Sequence, residues 1–373
     1  MDKVNTHNII SSADAQEILE TTVRSLLNNP EMAEQIPSIM LRGAPGVGKT
    51  TIVRDLAKKL GIEFKSVMLS QMERVDLCGL PSVEDHVTEW NVPAVWPRGP
   101  SSKGILLLDE LTSAPADVQV AAYQLILERR ISNADYTLPP GWYVVAAGNR
   151  AIDRAVVKTM SSALANRFMH FELEPNVEDW LAWASPHDIH PAVTGFLKFR
   201  PSLLSKMDDQ NLEQGWPSPR SWEKVSTAVK MFAYSEDILR KAVYGLIGPG
   251  AGVEFMAFYK TNKKFDDVLD MLTNPKATIN IPEKSDEKCA LGAAVSYLLW
   301  NGKSDADDVT RVEGMYRIVD QLTPDFAVMI VKNAMLGNSR VSKIDAIKKI
   351  MSSTGYKPFA EKHAKAFAER HSL

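Results

Sequence analysis

The stretch Gly43-Ala-Pro-Gly-Val-Gly-Lys-Thr50 (GAPGVGKT) determines how the first part of this 373-residue chain is expected to fold. It matches the pattern G-x-x-x-x-G-K-[ST], in which a glycine-rich loop turns backbone N–H groups toward phosphate oxygens. A short apolar run, Ile36–Arg42, precedes it, and apolar residues at helical spacing follow over Thr50–Leu60. A helix that begins at such a loop presents its positive end to an anion. The stretch therefore predicts a phosphate-binding strand–loop–helix unit rather than an ordinary glycine turn.

The predicted nucleotide contacts are the loop and the first residues of the helix. They are Gly43, Ala44, Pro45, Gly46, Val47, Gly48, Lys49, Thr50 and Thr51. Lys49 is expected to reach the β- and γ-phosphates, and Thr50 is expected to offer its hydroxyl to Mg²⁺. A nucleotide with β- and γ-phosphates and Mg²⁺ are thus the expected ligands.

Two acidic residues end the next strongly apolar segment. Gly104–Asp109 (GILLLD) is nearly all apolar, as expected of a strand that is buried on both faces of a parallel sheet. Ligands bind at the carboxyl ends of such strands, so Asp109 and Glu110 are expected near Thr50. We predict that Asp109 holds Mg²⁺ with Thr50, and that Glu110 polarises the attacking water. The alternative is a strand that merely ends in solvent with acidic residues at its tip.

The amide of Asn149 follows another apolar strand, Trp142–Ala147. Taken alone, Gly-Asn is good turn chemistry, and a capped turn would explain it. In chain order after the glycine loop and the acidic pair, Asn149 is instead predicted to orient the water or to contact the γ-phosphate.

The surrounding pattern predicts the fold class and three domains. Further strands are expected at Phe64–Leu69 and His170–Leu173, with a helix at Ala116–Arg130. Alternating strands and helices indicate a parallel α/β sheet flanked by helices. After Pro175 helical spacing dominates. We predict a nucleotide-binding α/β domain over 1–175, a helical lid over 176–255 and a C-terminal helical region over 256–373.

The order of Gly43–Thr50, Leu106–Glu110 and Asn149 resembles that of AAA+ ATPases, with Asn149 in the sensor-one place. The segment Gly104–Ile131 is similar to the pattern of the MoxR branch after its second acidic motif. The resemblance covers roughly residues 36 to 230.

This resemblance implies two inserted hairpins. The first would involve Asp76–Pro81 and the residues after it, and the second Ala134–Gly141. Trp90, Trp96 and Arg98 lie in or near the first insertion, where they would either grip a partner polypeptide or pack the insertion against the core.

Two arginines take their roles from the same resemblance. Arg167, in Leu-Ala-Asn-Arg-Phe, matches the arginine finger that acts on the neighbouring subunit's nucleotide, and Arg220, in Ser-Pro-Arg-Ser, matches the sensor-two arginine of the lid. The branch often carries Gln-Asn-Pro at the first sensor, whereas this chain has Gly-Asn-Arg. Arg150 and Arg154 are therefore further candidates for the finger role.

The function implied by the resemblance is ATP hydrolysis by a homo-oligomeric ring, six subunits being the family habit. The ring would remodel or activate a partner protein in a chaperone-like way, and that partner would carry a von Willebrand factor A domain. Three alternatives stay open: a nucleic-acid motor or clamp-loader-like ATPase, a small-molecule kinase, and a scaffold that binds ATP without turning it over.

Composition narrows these classes. The net charge of −3 argues against a protein that mainly coats nucleic acid, which usually leaves a basic footprint. Two cysteines, Cys78 and Cys289, cannot form a disulfide framework. The N-terminus does not resemble a secretory signal and no run is long enough to span a membrane, so a cytoplasmic location is expected. The acidic stretch Ser304–Asp308 is predicted to be a solvated loop or the start of a helix.

Overall fold

The computed structural model describes residues 8–131, 134–150, 160, 162–207, 214–262, 267–301, 304–338 and 340–368. The chain divides into two compact units, Met1–Pro175 and Asn176–Leu373. The first unit is an α/β unit, and the second is built from helices.

A parallel sheet forms the centre of the first unit. Its strands are β1 (Ile9–Ile10), β2 (Ser38–Arg42), β3 (Glu63–Met68), β6 (Lys103–Asp109), β9 (Gly141–Gly148) and β10 (Phe168–Leu173). Their order is β1-β10-β2-β9-β6-β3, with every neighbouring pair parallel. The predicted fold class is confirmed, and only the two-residue strand β1 was not expected from the sequence.

Helices cover both faces of this sheet. In the described part of the first unit they are α1 (Ser12–Asn28), α2 (Lys49–Leu60), α3 (Arg74–Cys78), α4 (Ala116–Glu128) and α5 (Ser162–Ala165). Side chains alternate along β6, so Leu106 and Leu108 join one buried cluster, and Ile105 and Leu107 join another. Apolar packing on both faces is the reason why this strand reads as a continuous apolar run.

Two small antiparallel hairpins interrupt the alternation. The first joins β4 (Leu80–Glu84) and β5 (Val87–Asn91), and the second joins β7 (Arg130–Ile131) and β8 (Tyr136–Thr137). The first lies where an insertion was expected, whereas the second begins before the expected range Ala134–Gly141 and shares only β8 with it. Trp96 follows the first hairpin; it is buried and its Nε1 donates to the Leu77 carbonyl at 2.8 Å. Of the two roles considered for it, Trp96 therefore takes the packing role.

The second unit contains ten helices among the residues that the structure describes. They are α6 (Val177–Ala184), α7 (Pro191–Phe199), α8 (Pro219–Phe232), α9 (Glu236–Asn262), α10 (Val268–Thr273), α11 (Ser285–Leu299), α12 (Asp305–Val319), α13 (Pro324–Ala334), α14 (Lys343–Ser352) and α15 (Tyr356–Ala368). Within α9 the backbone of Gly248 leaves helical geometry, with φ 74°, directly before Pro249. Proline removes a helical N–H donor, so a kink at this point is expected.

Two apolar clusters fill this unit. One surrounds Trp222, Phe196 and Phe255, and the other surrounds Trp300 and Met315. The expected division at residues 255/256 falls inside α9, and it stays a prediction. No helix in the described ranges is both long and apolar enough to cross a membrane.

The acidic stretch Ser304–Asp308 does begin a helix, since the Ser304 hydroxyl accepts the Asp307 N–H and caps α12. One of its acids departs from the expected solvation. Asp308 is completely buried, and it accepts hydrogen bonds from Arg340 and Lys349.

Candidate active site

The glycine-rich loop lies between β2 and α2, at the carboxyl edge of the sheet. Gly46 and Gly48 have φ of 80° and 108°, a region that side chains with a Cβ rarely adopt. At Gly43 a Cβ would approach the Leu173 carbonyl oxygen to 2.8 Å, because β10 passes close to the loop. Glycine is therefore required at Gly43 because β10 lies close to the loop, and at Gly46 and Gly48 because their backbone has positive φ. The spacing of the glycines predicts such a loop.

The Lys49 amine occupies the centre of this loop. It is buried, and it donates to the carbonyl oxygens of Gly43 at 2.7 Å and Ala44 at 3.2 Å. It also donates to Asn149 Oδ1 at 3.1 Å, across 100 residues of sequence. The structure thus brings together Lys49, at the start of α2, and Asn149, which follows β9.

A hydroxyl and a carboxylate meet beside the loop. Thr50 Oγ1 donates to Asp109 Oδ2 at 2.8 Å, which joins the start of α2 to the end of β6. Both are hard oxygen donors of the kind that Mg²⁺ prefers, and Mg²⁺ is usually held by one or two protein groups plus phosphate oxygens. The donor set therefore fits the expected metal.

Glu110 stands next to this pair in an unusual backbone conformation. Its φ is 56°, and its N–H donates to Asp109 Oδ1 at 2.9 Å. A non-glycine residue with positive φ is uncommon and costs free energy, which its surroundings must offset. Its carboxylate accepts a hydrogen bond from the Ser70 hydroxyl, which follows β3. Ser70 was not identified from the sequence, because a single serine after a strand has no distinctive pattern.

Thr112 is a second residue that sequence reasoning missed. Its Oγ1 accepts the Asn149 N–H at 3.1 Å and lies 3.4 Å from the Asn149 carbonyl oxygen. A Cβ on Gly148 would come within 2.6 Å of that hydroxyl, so glycine is needed for the approach. Thr112 therefore fixes the backbone that carries the Asn149 amide.

Arg167 lies at the opposite edge of the sheet from the glycine loop. It directly precedes β10, whose first residue, Phe168, pairs with Ser38 at the start of β2. Arg167 is exposed, and it lines a cavity with Pro37 and Ser38. At roughly 3.3 Å per residue, β10 separates it from Leu173 and the loop by about 20 Å.

Arg150, in contrast, lies at the loop's own edge. It follows β9 and pairs with Glu172 at 2.7 Å, with Glu174 further away at 3.9 Å. Arg154 lies outside the described residues. The described candidates for the finger role therefore occupy opposite edges of one sheet.

Arg220 belongs to the second unit. It is exposed in the first turn of α8, whose N-terminus is capped by Ser218 and Ser221. Pro219 occupies the first helical position, where its missing N–H costs nothing. The local sequence Ser-Pro-Arg-Ser is thus a helix start that presents an arginine to solvent.

Comparisons with known proteins agree with this geometry. Residues 38–168 match the family model of the AAA domain (dynein-related subfamily). The chaperone MoxR1 of Mycobacterium tuberculosis is 29% identical over 133 residues, which are 35% of this chain and 34% of that protein. Protein YeaC of Bacillus subtilis is 31% identical over 116 residues, covering 30% of this chain and 34% of the relative.

The chain spans about a third of the length of these curated relatives. Among solved structures, a RuvB variant of Thermotoga maritima aligns with 78% of this chain and 84% of its own, at 17% identity and a TM-score of 0.35. The sequence matches, and not this distant likeness, indicate the kind of domain. Residues 38–168 match an AAA domain, and about a third of the chain is similar to the chaperone MoxR1.

Proposed function

We propose that this chain hydrolyses ATP to ADP and phosphate at the edge formed by Lys49, Thr50, Asp109, Glu110 and Asn149. The observation that supports it most directly is the pair of contacts Lys49–Asn149 and Thr50–Asp109, which joins the glycine loop to the ends of two other strands. Phosphoryl transfer requires positioning and charge stabilisation more than covalent chemistry, and this cluster supplies both.

Each residue has a distinct task in this proposal. The Lys49 amine exchanges its carbonyl partners for the β- and γ-phosphate oxygens. Thr50 and Asp109 hold Mg²⁺, which neutralises charge on the phosphates when it is bound. The Glu110 carboxylate accepts a proton from the attacking water, and the Asn149 amide orients that water or contacts the γ-phosphate.

The Glu110 carboxylate accepts a hydrogen bond from the Ser70 hydroxyl, which holds it toward the end of β3. The oxygen that accepts from Ser70 does not at the same time accept from the attacking water in that direction. The hydrolytic step therefore begins with the release of Glu110 from the Ser70 hydroxyl and its rotation toward the γ-phosphate.

We further propose that Arg167 acts on the nucleotide of a neighbouring copy. It lies about 20 Å of strand length from its own loop, which is beyond the reach of an arginine side chain. An arginine supplied from a second molecule stabilises the transition-state charge and contributes about 10³–10⁵ in rate. Hydrolysis would then require assembly, and a ring of copies satisfies every site.

The proposed output is the remodelling of a partner protein, which the family resemblance suggests is a protein with a von Willebrand factor A domain. The first hairpin offers a surface for contacts, because Leu80, Val83 and Val87 are 63%, 72% and 58% exposed. Exposed apolar side chains at neighbouring positions are typical of interaction sites. In the same scheme residues 176–255 act as a lid that carries Arg220 as a nucleotide sensor, and residues 256–373 form a separate helical region.

A subunit-mixing assay tests the shared site. Glu110→Gln and Arg167→Ala proteins are purified separately, and each is expected to release little phosphate. After mixing in equal amounts and exchange, an active site needs Glu110 from one copy and Arg167 from its neighbour. Random mixing gives about a quarter of all sites both groups, so about a quarter of wild-type activity should return.

The control uses Arg150→Ala in place of Arg167→Ala, with exchange followed by a labelled subunit. Because Arg150 lies at the loop's own edge, its role is not expected to depend on a neighbour. No recovery with Arg167→Ala, although exchange is complete, would overturn the shared site. Stimulation of turnover by DNA or RNA that disappears with added salt would instead support a nucleic-acid motor.

A further inference from the structure

A polar cavity of about 80 Å³ lies within the second unit, away from the residues discussed so far. It is lined by α6, α7 and α11, by the end of α13 and by the segment that follows α13. The polar residues in its wall include Ser185, Lys198, Ser296, Tyr297, Asn333 and Asn338.

Most of these polar groups already have partners. Ser296 donates to the Gly292 carbonyl at 2.8 Å, and Ser185 donates to the Gly337 carbonyl. The Asn338 amide donates to the Trp300 carbonyl at 3.2 Å. These side chains shape the wall of the cavity without requiring a ligand.

Lys198 is the first exception. Among the residues that the structure describes, no carboxylate forms an ion pair with its amine, although the Cys289 thiol lies close enough to interact electrostatically. Burial lowers the pKa of Lys198 to about 7, since the charged form loses solvation that no acid replaces.

Asn333 is the second exception. Its Nδ2 is buried, and it has no hydrogen-bond partner in the described part of the chain. Buried donors are nearly always satisfied, so an unused amide N–H in the wall of a polar cavity indicates an absent acceptor. An unused cation and an unused donor thus belong to one small cavity.

The acid nearest to this cavity is already occupied. Asp188 lies in its wall, but Oδ2 accepts from Lys230 at 2.8 Å and Oδ1 accepts from Tyr297 at 3.1 Å. Asp188 therefore does not neutralise Lys198. The negative charge of Asp188 repels anions. Together with a described wall that offers Lys198 as its unpaired cation, it disfavours a ligand with two negative charges.

We propose that this cavity binds a small monocarboxylate, with Lys198 as the cation and Asn333 as a further hydrogen-bond donor. A carboxylate accepts only, carries a single charge and is compact, which are the three properties that the wall requires. Helices from either side of the cavity would be joined through the bound acid. This proposal does not depend on the nucleotide chemistry of the first unit.

The test follows thermal unfolding of the full chain with acetate or propionate as probes. A ligand that binds the folded state raises the midpoint with concentration, which yields an affinity. Acetamide has a similar shape without the charge and should have no effect. Lys198→Met should weaken the apparent affinity at least tenfold, and Asn333→Leu about three- to tenfold, because each removes one of the two contacts. Lys241→Met is the matched control, since Lys241 is an exposed lysine paired with Asp237, and its affinity should be unchanged.

The pH dependence gives an independent reading. With a pKa of about 7, the amine is about nine-tenths protonated at pH 6 and about one-tenth at pH 8. Affinity should therefore fall about tenfold over this range. The neighbouring Tyr297 and Cys289 have raised pKa values, Asp188 has a lowered one, and that of His190 is lowered to about 4, so they do not titrate there. A His187→Gln variant removes the remaining nearby histidine.

Three results would overturn the proposal. One is the absence of stabilisation by either acid at pH 6. Another is equal stabilisation of the wild-type and Lys198→Met proteins. The third is a stronger Lys198-dependent effect of inorganic phosphate, which would indicate a different class of anion. If Lys198→Met fails to fold, Asn333→Leu and the pH profile decide between the outcomes.

Discussion

Two aspartates at the start of α12 bind the same lysine, yet we expect them to differ greatly in importance. Lys349 Nζ lies 2.6 Å from Asp305 Oδ1 and 2.6 Å from Asp308 Oδ2. The side chain of Asp305 is 88% exposed, whereas that of Asp308 is fully buried and is also bound by Arg340. The distance to Lys349 is therefore the same for both aspartates, and they differ in burial and in the second partner, Arg340, that burial gives Asp308.

The expected magnitude follows from this difference. Replacing Asp308 with Asn keeps the volume but leaves two cations beside a neutral amide. Removing one member of a buried pair typically destabilises a protein by about 3–5 kcal/mol. The same change at Asp305 removes an exposed ion pair, which water and salt already screen, so no measurable change is expected.

Hydrogen exchange of the full chain measures the effect locally. Amides of α12 and α14 in Asp308→Asn should exchange about 10²- to 4 × 10³-fold faster than in the wild-type protein, since each 1.4 kcal/mol is about tenfold. Amides of β9 in the first unit serve as the internal reference, and Asp305→Asn is the matched control. Equal exchange in the two variants would refute the reasoning that burial determines the strength of these pairs.

Three further predictions concern the nucleotide site. Ser70→Ala should raise basal phosphate release about ten- to a hundredfold, because a hydrogen bond to a charged group contributes about 1.5–3 kcal/mol and this one restrains Glu110; unchanged or slower turnover would show that the contact is not inhibitory. Gly148→Ala should lower kcat without changing ATP affinity, since the added Cβ would meet Thr112 Oγ1 at 2.6 Å and displace the next residue; a loss of nucleotide binding would contradict this. Lys49→Ala should lose ATP binding in a labelled-nucleotide titration, and equal affinity would remove the phosphate-loop assignment.

The sheet and the glycine loop could be predicted because their physical causes are local. A strand that is buried on both faces consists mainly of apolar residues, and the sequence of β6, KGILLLD, has this composition. The loop requires a backbone with positive φ just before the helix begins, and Gly46 and Gly48 are the residues that adopt it. The chain order of these segments was enough to predict a role for Asn149 at the nucleotide, but its contact with Lys49 was not predicted.

The remaining features depend on tertiary contacts that leave no pattern in the chain. Ser70 and Thr112 are ordinary hydroxyl residues whose roles come from which strand ends lie beside them. Asp308 belongs to an acidic run that suggests solvent, but α14 and Arg340 enclose it. The cavity at Lys198 is formed by helices that are distant in sequence, so no spacing could indicate it.

The position of Arg167 at one edge of the sheet and the glycine loop at the other restricts the symmetry of any assembly that shares sites. In a twofold dimer, both partners bury the same surface patch. Such a dimer brings the Arg167 edge of one copy to the glycine-loop edge of the other only if the shared patch includes both edges. In a head-to-tail arrangement, each copy supplies Arg167 to the glycine loop of the next copy. Every loop receives an arginine only when the series of copies closes into a ring. An open arrangement would leave one copy without a donor and another without a recipient. If Arg167 acts on a neighbouring copy as proposed, closure would be the condition under which every copy is catalytically complete, and one copy that lacks both Glu110 and Arg167 would impair two neighbouring sites at once.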